Sequence, residues 1–250
     1  TERLKKPGPI LRLASYNIQD FSDGIDDGAR RTPERAAQQA RLAARILDDV
    51  DPDVLVLQEI ENATALRLLN EHLEDPFPLG YVTALGDGGA RRERLNLAVL
   101  SRVPLEDLRE LDFGPLRGRG RPTRGALGFS VDLGDGHRLL VYTVHLKSNF
   151  GETWVNRRQR YNALRYVRRD ADQVMAARRK TQWSAVLVCD MNVDPELDPV
   201  RNDFSLRPFG DWVDLFRGRP MRERTTLPTR YGDPRFVFPP SCFDRFFVTT

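Results

Sequence analysis

Apolar residues in this chain gather in short consecutive runs that end on polar side chains. Val186-Leu-Val-Cys runs straight into Asp190, followed by Asn192. Asp53-Val-Leu-Val-Leu-Gln-Glu59 and Leu95-Asn-Leu-Ala-Val-Leu-Ser101 behave alike. Runs apolar at successive positions predict strands buried on both faces. Between them the period changes. Ala36, Ala40, Ala43, Ala44 and Leu47 recur as a helical stripe. Thr32 is placed to cap that helix, with Pro33 at its first position, and Asp51-Pro52 stops it. A second helix is predicted over Ala63 to Leu73 with Asn62 as its cap, and a long arginine-rich one from Trp154 to about Lys180.

The remaining segments alternate. Ile10 to Asn17 predicts a first strand, and a short strand is expected near Tyr81. Leu105 to Leu111 reads as short strand or irregular chain. Gly125 to Leu133 and Arg138 to Leu146 flank Gly134-Asp-Gly136, a hairpin signature. Asp211 to Phe216 reads as a short helix or turn, and Phe236-Val-Phe and Cys242 to Val248 as the last strands. Hairpins mixed with helices between strands predict an α/β sandwich with helices outside stacked sheets, not a purely parallel doubly wound sheet.

With 250 residues, 40% hydrophobic and 30% charged, the chain suffices to bury a full core, and one domain over residues 1–250 is the economical reading. No apolar run approaches a membrane span. The first residues carry no signal-peptide core, and the absence of an initiator methionine points to a trimmed precursor. Net charge is only +3, which permits a polyanionic partner without demanding one. The arginines are uneven. Arg117, Arg119, Arg121 and Arg124 sit in a Gly/Pro-rich loop, and Arg157, Arg158, Arg160, Arg165, Arg168, Arg169, Arg178 and Arg179 crowd one segment, where a solvated helix face is the ordinary meaning. Cys189 and Cys242 read as small core residues, with a single disulfide between them left open.

Candidate chemistry lies at the strand ends: Asn17, Glu59, His145, and Asp190 with Asn192. Asp244 adds a carboxylate inside an aromatic strand, costly to bury without a partner, for which a nearby arginine is the plain structural candidate. Oxygen donors of this kind suit Mg²⁺, whereas no closely spaced His/Cys set suggests zinc. Of the three histidines, His72 and His137 read as surface residues, and only His145 ends a buried strand.

Ser15-Tyr-Asn17, Leu57-Gln-Glu59, Leu97-Ala-Val-Leu-Ser-Arg102, Thr143-Val-His-Leu-Lys-Ser148, Asp190-Met-Asn192 and Phe243-Asp-Arg-Phe-Phe-Val248 resemble, in order, the motifs of the endonuclease/exonuclease/phosphatase superfamily, the DNase-I-like metal-dependent phosphoesterases. Each motif is weak alone, but six in order, from about Leu11 to Val248, are specific. Glu59-Ile-Glu-Asn62 and the Gly28 to Arg35 approach look most like bacterial extracellular nuclease-type members, which favours a secreted or periplasmic setting. The resemblance implies a four-layer α/β/β/α sandwich with two mixed, mainly antiparallel sheets and a site at one sheet edge. It implies Glu59 as principal Mg²⁺ ligand (Mn²⁺ or Ca²⁺ as substitutes), with Asn17 and Asp190 close to the metal. Asp190 would orient or deprotonate the attacking water, Asn192 would hold a phosphate oxygen, and His145 would donate to the phosphate or leaving group. Asp244 resembles the carboxylate that orients a second histidine.

That second histidine is where the chain departs from the pattern. Family members continue into a Ser-Asp-His segment, and Asp244-Arg245 replaces the more usual Asp-Tyr or Asp-His. The expectation is a longer parent chain carrying Ser-Asp-His after Thr250, the sheet edge beside the last strand being otherwise unpaired. The alternatives are another donor, Lys147 or Arg124, or a catalytically dead protein. The expected activity is Mg²⁺-dependent hydrolysis of DNA or RNA by a monomeric nuclease, with Arg124 and Lys147 binding substrate. A phosphatase for inositol or lipid phosphates and an inactive nucleic-acid or protein binding module are the rival readings.

Overall fold

The computed structural model describes residues 10–28, 30–85, 95–177, 181–197, 203–227 and 240–249. The Phe236-Val-Phe strand, Arg178, Arg179 and the last turn expected of the long helix lie outside these residues.

Two sheets stack with helices on their outer faces. The four-stranded sheet has the order β1-β2-β4-β3, with β1 (Leu13–Phe21), β2 (Val54–Ile60), β3 (Leu79–Val82) and β4 (Asn96–Ser101). Its only parallel pair among the described residues is β1/β2. The six-stranded sheet has the order β5-β6-β7-β8-β10-β9, with β5 (Glu106–Leu111), β6 (Ala126–Gly134), β7 (His137–His145), β8 (Gln182–Asp190), β9 (Val213–Asp214) and β10 (Asp244–Val248). Here β7 and β8 run parallel and the other pairs antiparallel. α1 (Pro33–Val50) and α2 (Ala63–Glu71) cover the first sheet, and α3 (Thr153–Ala177) covers the second.

The run in β2 shows why the pattern reads as doubly buried. Val54 and Val56 face the other sheet, in one cluster with Leu127, Phe129, Val141, Val186 and Val188. Leu55 and Leu57 face outward against Ala40, Ala44, Leu66 and Leu69 of the helices. Successive side chains alternate between faces and both faces are covered, so no polar position survives within the run. On the far side Leu140, Tyr142, Ala185 and Leu187 pack under Ala163, Leu164 and Val167 of α3. Gln58 is the polar exception: its Nε2 donates to Ser15 Oγ at 3.1 Å and to Thr143 Oγ1 at 3.1 Å, tying the two sheets together below the strand ends.

The expected caps are present. Thr32 Oγ1 accepts from the Arg35 N–H and Asn62 Oδ1 from the Ala65 N–H. The reading of Asp211 to Phe216 as helix or turn holds for the turns at its ends and is corrected in its middle. Val213–Asp214 is an edge strand paired with Phe247 and Val248, so part of the β10 edge expected to be open is occupied. Leu105 to Leu111 contains a regular strand, β5. Both cysteines are buried and free. No helix among the described residues is long and apolar enough to cross a membrane.

Candidate active site

The polar strand ends converge where the two sheets meet. β7 and β8 run parallel and in register, which sets His145 directly beside Asp190. β10 returns antiparallel and sets Asp244 on the other side of Asp190. From the opposite sheet, the parallel β1/β2 pair brings Asn17 and Glu59 to the same end.

Glu59 reaches this end through a kink. Its φ is +67°, a left-handed value for a non-glycine residue, at a register shift between Gln58 and Ile60. The kink lets adjacent residues serve different places, with Gln58 between the sheets and Glu59 at their rim. Gln19, Asp20 and Asn192 also have positive φ, so four such residues cluster around the strand ends. Backbone of this kind costs of order 1–3 kcal/mol per residue and gathers at functional sites.

Asn17 links the two carboxylates. Its Nδ2 donates to Glu59 Oε1 at 3.2 Å and to Asp190 Oδ2 at 3.0 Å. Its Oδ1 accepts the Gln19 N–H at 2.9 Å, so in this arrangement Asn17 is a donor to both acids and its oxygen is engaged elsewhere. Glu59 Oε2 takes the Asp20 N–H at 2.7 Å. Asp190 Oδ1 takes the Asn192 N–H at 2.8 Å, and Asn192 Nδ2 donates to Leu146 O at 3.0 Å. An amide nitrogen carries two hydrogens, so one remains for another acceptor.

His145 Nε2 lies 3.5 Å from Glu59 Oε1 and 3.6 Å from Asp190 Oδ2. Burial, reinforced by the positive charge of Arg124, pushes its pKa well below the usual range and keeps the imidazole neutral. Burial also raises Asp190; the Asn17 amide and the Asn192 N–H oppose this, and the charge of Glu59 adds to it. Asp244 is raised to about 7, first by burial and then by the charge of Asp190. Two buried atoms at this end, His145 Nδ1 and Asp244 Oδ1, have no hydrogen-bond partner among the described residues. The arginine expected beside Asp244 turns away: Arg245 pairs with Asp194 and Asp214.

Glu59 and Asp190 offer oxygen donors of the right chemistry for a divalent cation, with the Asn17 Nδ2 donor lying between them in this arrangement and the charge of Arg124 acting on Asp190. An oxygen-donor set of this kind suits Mg²⁺, Mn²⁺ or Ca²⁺.

Arg124 and Lys147 line a groove beside His145 together with Thr123 and Gln159. Arg124 donates to Leu146 O at 3.2 Å, and Lys147 Nζ is turned into its own loop, toward Ser148 and Phe150 O. The arginine-rich helix is only partly the solvated face expected. Arg160 is buried on Asp203, and Arg168 is engaged by Asp172 and Asp211. His72 and His137 are half-buried and contact Leu68 O and Ser184 Oγ.

Two features escaped the sequence reading. Asp194 is buried under Arg224 and Arg245 just beyond Asn192. Asp23, Asp27 and Glu61 gather their carboxylates within 4.8 Å of one another, two residues past Glu59. Their pairing joins segments about 38 residues apart, which no local pattern displays.

Because the folded protein holds Asp244 above its ordinary pKa, it binds a proton that the unfolded chain has lost between about pH 4 and pH 7. Stability from this group is therefore full at acid pH and is lost as pH rises through about 7. Asp244→Asn is expected to raise the melting temperature, relative to the parent, more at pH 8 than at pH 5, measured in EDTA. An equal difference at both pH values contradicts this.

Fold and site together define an α/β/β/α sandwich of the DNase-I-like kind with paired acids at the sheet ends. The endonuclease/exonuclease/phosphatase family model matches residues 14–250, and the chain belongs to that family. Among solved structures, TDP2 from C. elegans is similar at 17% identity and TM-score 0.61, covering 96% of this chain; this chain spans 64% of that one. The human Nocturnin catalytic domain with bound sulfate is similar at 14% identity and TM-score 0.61, covering 96% of this chain and 81% of that one. A mannosyl-6-phosphatase from Bacteroides thetaiotaomicron is similar at 17% identity and TM-score 0.59, covering 96% and 85%. No match is found among curated proteins.

Proposed function

We propose that this protein is a metal-dependent phosphodiesterase that hydrolyses nucleic acid. The observation that carries the proposal is the convergence of Glu59 and Asp190 on the neutral side chains of Asn17 and His145. A divalent cation held by Glu59 and Asp190 would supply Lewis-acid polarisation of the phosphoryl oxygen. Asp190 orients the attacking water and takes its proton, a role helped by a pKa raised toward the working range. Neutral His145 donates a hydrogen bond from its one ring N–H to the phosphate or the leaving oxygen and keeps that proton, the leaving oxygen taking its proton from solvent. The free N–H of Asn192 faces a phosphate oxygen, while its other N–H keeps the loop on Leu146 O. Fixed donors of this kind are each worth roughly 10²–10³ in rate. Asp244, behind Asp190, is itself raised by burial and by the charge of Asp190.

Arg124 beside His145, and exposed Arg158, Arg165 and Arg169 on α3, support a polyanionic substrate. Supercoiled plasmid, a single-stranded oligonucleotide, and a panel of inositol and sugar phosphates, each with Mg²⁺ or EDTA, test the reading. Mg²⁺-dependent cleavage of nucleic acid, without phosphate release from the panel, is expected. Phosphate release from the panel with intact nucleic acid establishes the phosphatase instead, and binding without cleavage establishes the module.

A further inference from the structure

Among the exposed large apolar side chains of the described residues, two are aromatic. Phe150 is 74% exposed and Trp154 is 54% exposed. They lie in the segment that leaves His145 and enters α3. Asn149 Nδ2 donates to Asn192 O at 2.9 Å, so Phe150 follows directly on a residue bonded to the Asp190–Asn192 turn.

The chain beneath the rings is held firmly. Phe150 O accepts from Lys147 Nζ at 2.8 Å and from Asn156 Nδ2 at 3.1 Å. Buried Arg160 donates to Lys147 O at 2.9 Å and to Asn149 Oδ1 at 3.1 Å, and is itself fixed by Asp203 at 2.7 Å. The backbone is thus tied down from below while the ring of Phe150 stays outside. Arg158 lies over the Trp154 ring at 5.9 Å, and Arg119 is paired with Glu152 between the two aromatics in sequence. Rings on a pre-ordered backbone bind with little further loss of freedom.

We propose that Phe150 and Trp154 form a stacking platform for an unpaired nucleobase flanking the phosphate held at Glu59 and Asp190. The proposal rests on the phosphodiesterase reading above. Every base presents a π-face, so such a platform accepts many sequences and favours a single strand, whose bases are free to splay, over a duplex. Arg158 adds a cation at the Trp154 face where the strand's backbone would pass.

The test compares KM for a labelled single-stranded oligonucleotide with KM for the same strand bearing abasic residues around the cleavage position, in Mg²⁺, for the parent protein, Phe150→Ala, Phe150→Trp and Trp154→Ala. The parent is expected to prefer the base-bearing strand by roughly tenfold in KM, the scale of one stacked base. That preference is expected to collapse toward one in the two alanine variants and to persist in Phe150→Trp. Because each variant is judged by the ratio of its own two KM values, a general loss of folded protein does not mimic the result. A parent that cleaves both strands with equal KM, or alanine variants that keep the preference, overturns the platform and leaves the phosphodiesterase standing. A parent that cleaves neither strand removes both. A dimer in solution that Phe150→Ala dissolves without changing the ratio also overturns the platform, making this face a contact between copies.

Discussion

Asp190→Asn is expected to lower kcat on nucleic acid by roughly 10²–10⁴-fold without unfolding the protein. The carboxylate is almost fully buried at the end of β8, and its surroundings are built around its charge. Asn17 Nδ2 donates to Oδ2 and the Asn192 N–H donates to Oδ1. Asparagine keeps the shape and one of these acceptors, but it removes the water's proton acceptor and half of the charge available to a cation. Charge is also what makes Asp190 uncomfortable in the metal-free protein, because burial and the neighbouring Glu59 both oppose its ionisation. The variant is therefore expected to melt at or above the parent's temperature in EDTA, and to gain less than the parent when Mg²⁺ is added. Paired melting curves with and without Mg²⁺, beside the kcat measurement, separate a chemical role from a structural one. A large loss of melting temperature in EDTA contradicts this account of Asp190.

Arg245→Met is expected to be the most destabilising of the substitutions considered, by about 3–5 kcal/mol. Arg245 is fully buried. It donates to Asp194 Oδ1 at 2.9 Å, to Cys242 O at 3.2 Å and to Asp214. Asp194 in turn receives Arg224 at 2.8 Å, and the N–H groups of Cys242 and Glu196. Burial alone would raise Asp194, but these N–H donors and the two guanidinium groups hold it below its ordinary value. Methionine matches the bulk of the side chain but leaves Asp214 without its guanidinium and Asp194 with Arg224 as its one remaining cation, and that loss of compensation is the source of the cost. For a domain of this size, such a loss lowers the melting temperature by on the order of 10 °C. Arg245→Lys keeps the charge but not the planar fork, and should recover only part of it. Because Asp194 ends the turn that carries Asp190 and Asn192, activity should fall with stability. Calorimetry on both variants checks the order; a methionine variant as stable as the parent contradicts it.

The contrast between these two positions shows what was legible in the chain. Asp190 and Glu59 announce themselves locally, because a carboxylate closing an apolar run must sit at a strand end outside the core. His145 is readable for the same reason. Arg245 gives no such signal: its partners lie 51 and 31 residues away, and its neighbour Asp244 looked like the natural mate. Arg160 was equally opaque, since a helix crowded with arginines reads as solvated until Asp203 is brought beneath it from 43 residues away. Strand β9 escaped because a two-residue strand has no period to detect. The left-handed kink that turns Glu59 toward the rim while Gln58 stays between the sheets is likewise a property of the packed fold, not of the motif. The anchoring of the segment before Phe150 by Arg160 is likewise tertiary, which a polar loop does not advertise.

The central claim is that Glu59 helps hold the cation with which this site hydrolyses phosphodiesters. The most direct measurement is the rate of cleavage of one labelled oligonucleotide as a function of Mg²⁺ concentration, for the parent and for Glu59→Gln in parallel. The account predicts no cleavage by the parent in EDTA, saturable activation by Mg²⁺, and for Glu59→Gln a half-saturating Mg²⁺ concentration raised at least tenfold with a melting temperature in EDTA close to the parent's. Superimposable Mg²⁺ curves for the two proteins, or cleavage by the parent that persists in EDTA, would contradict it.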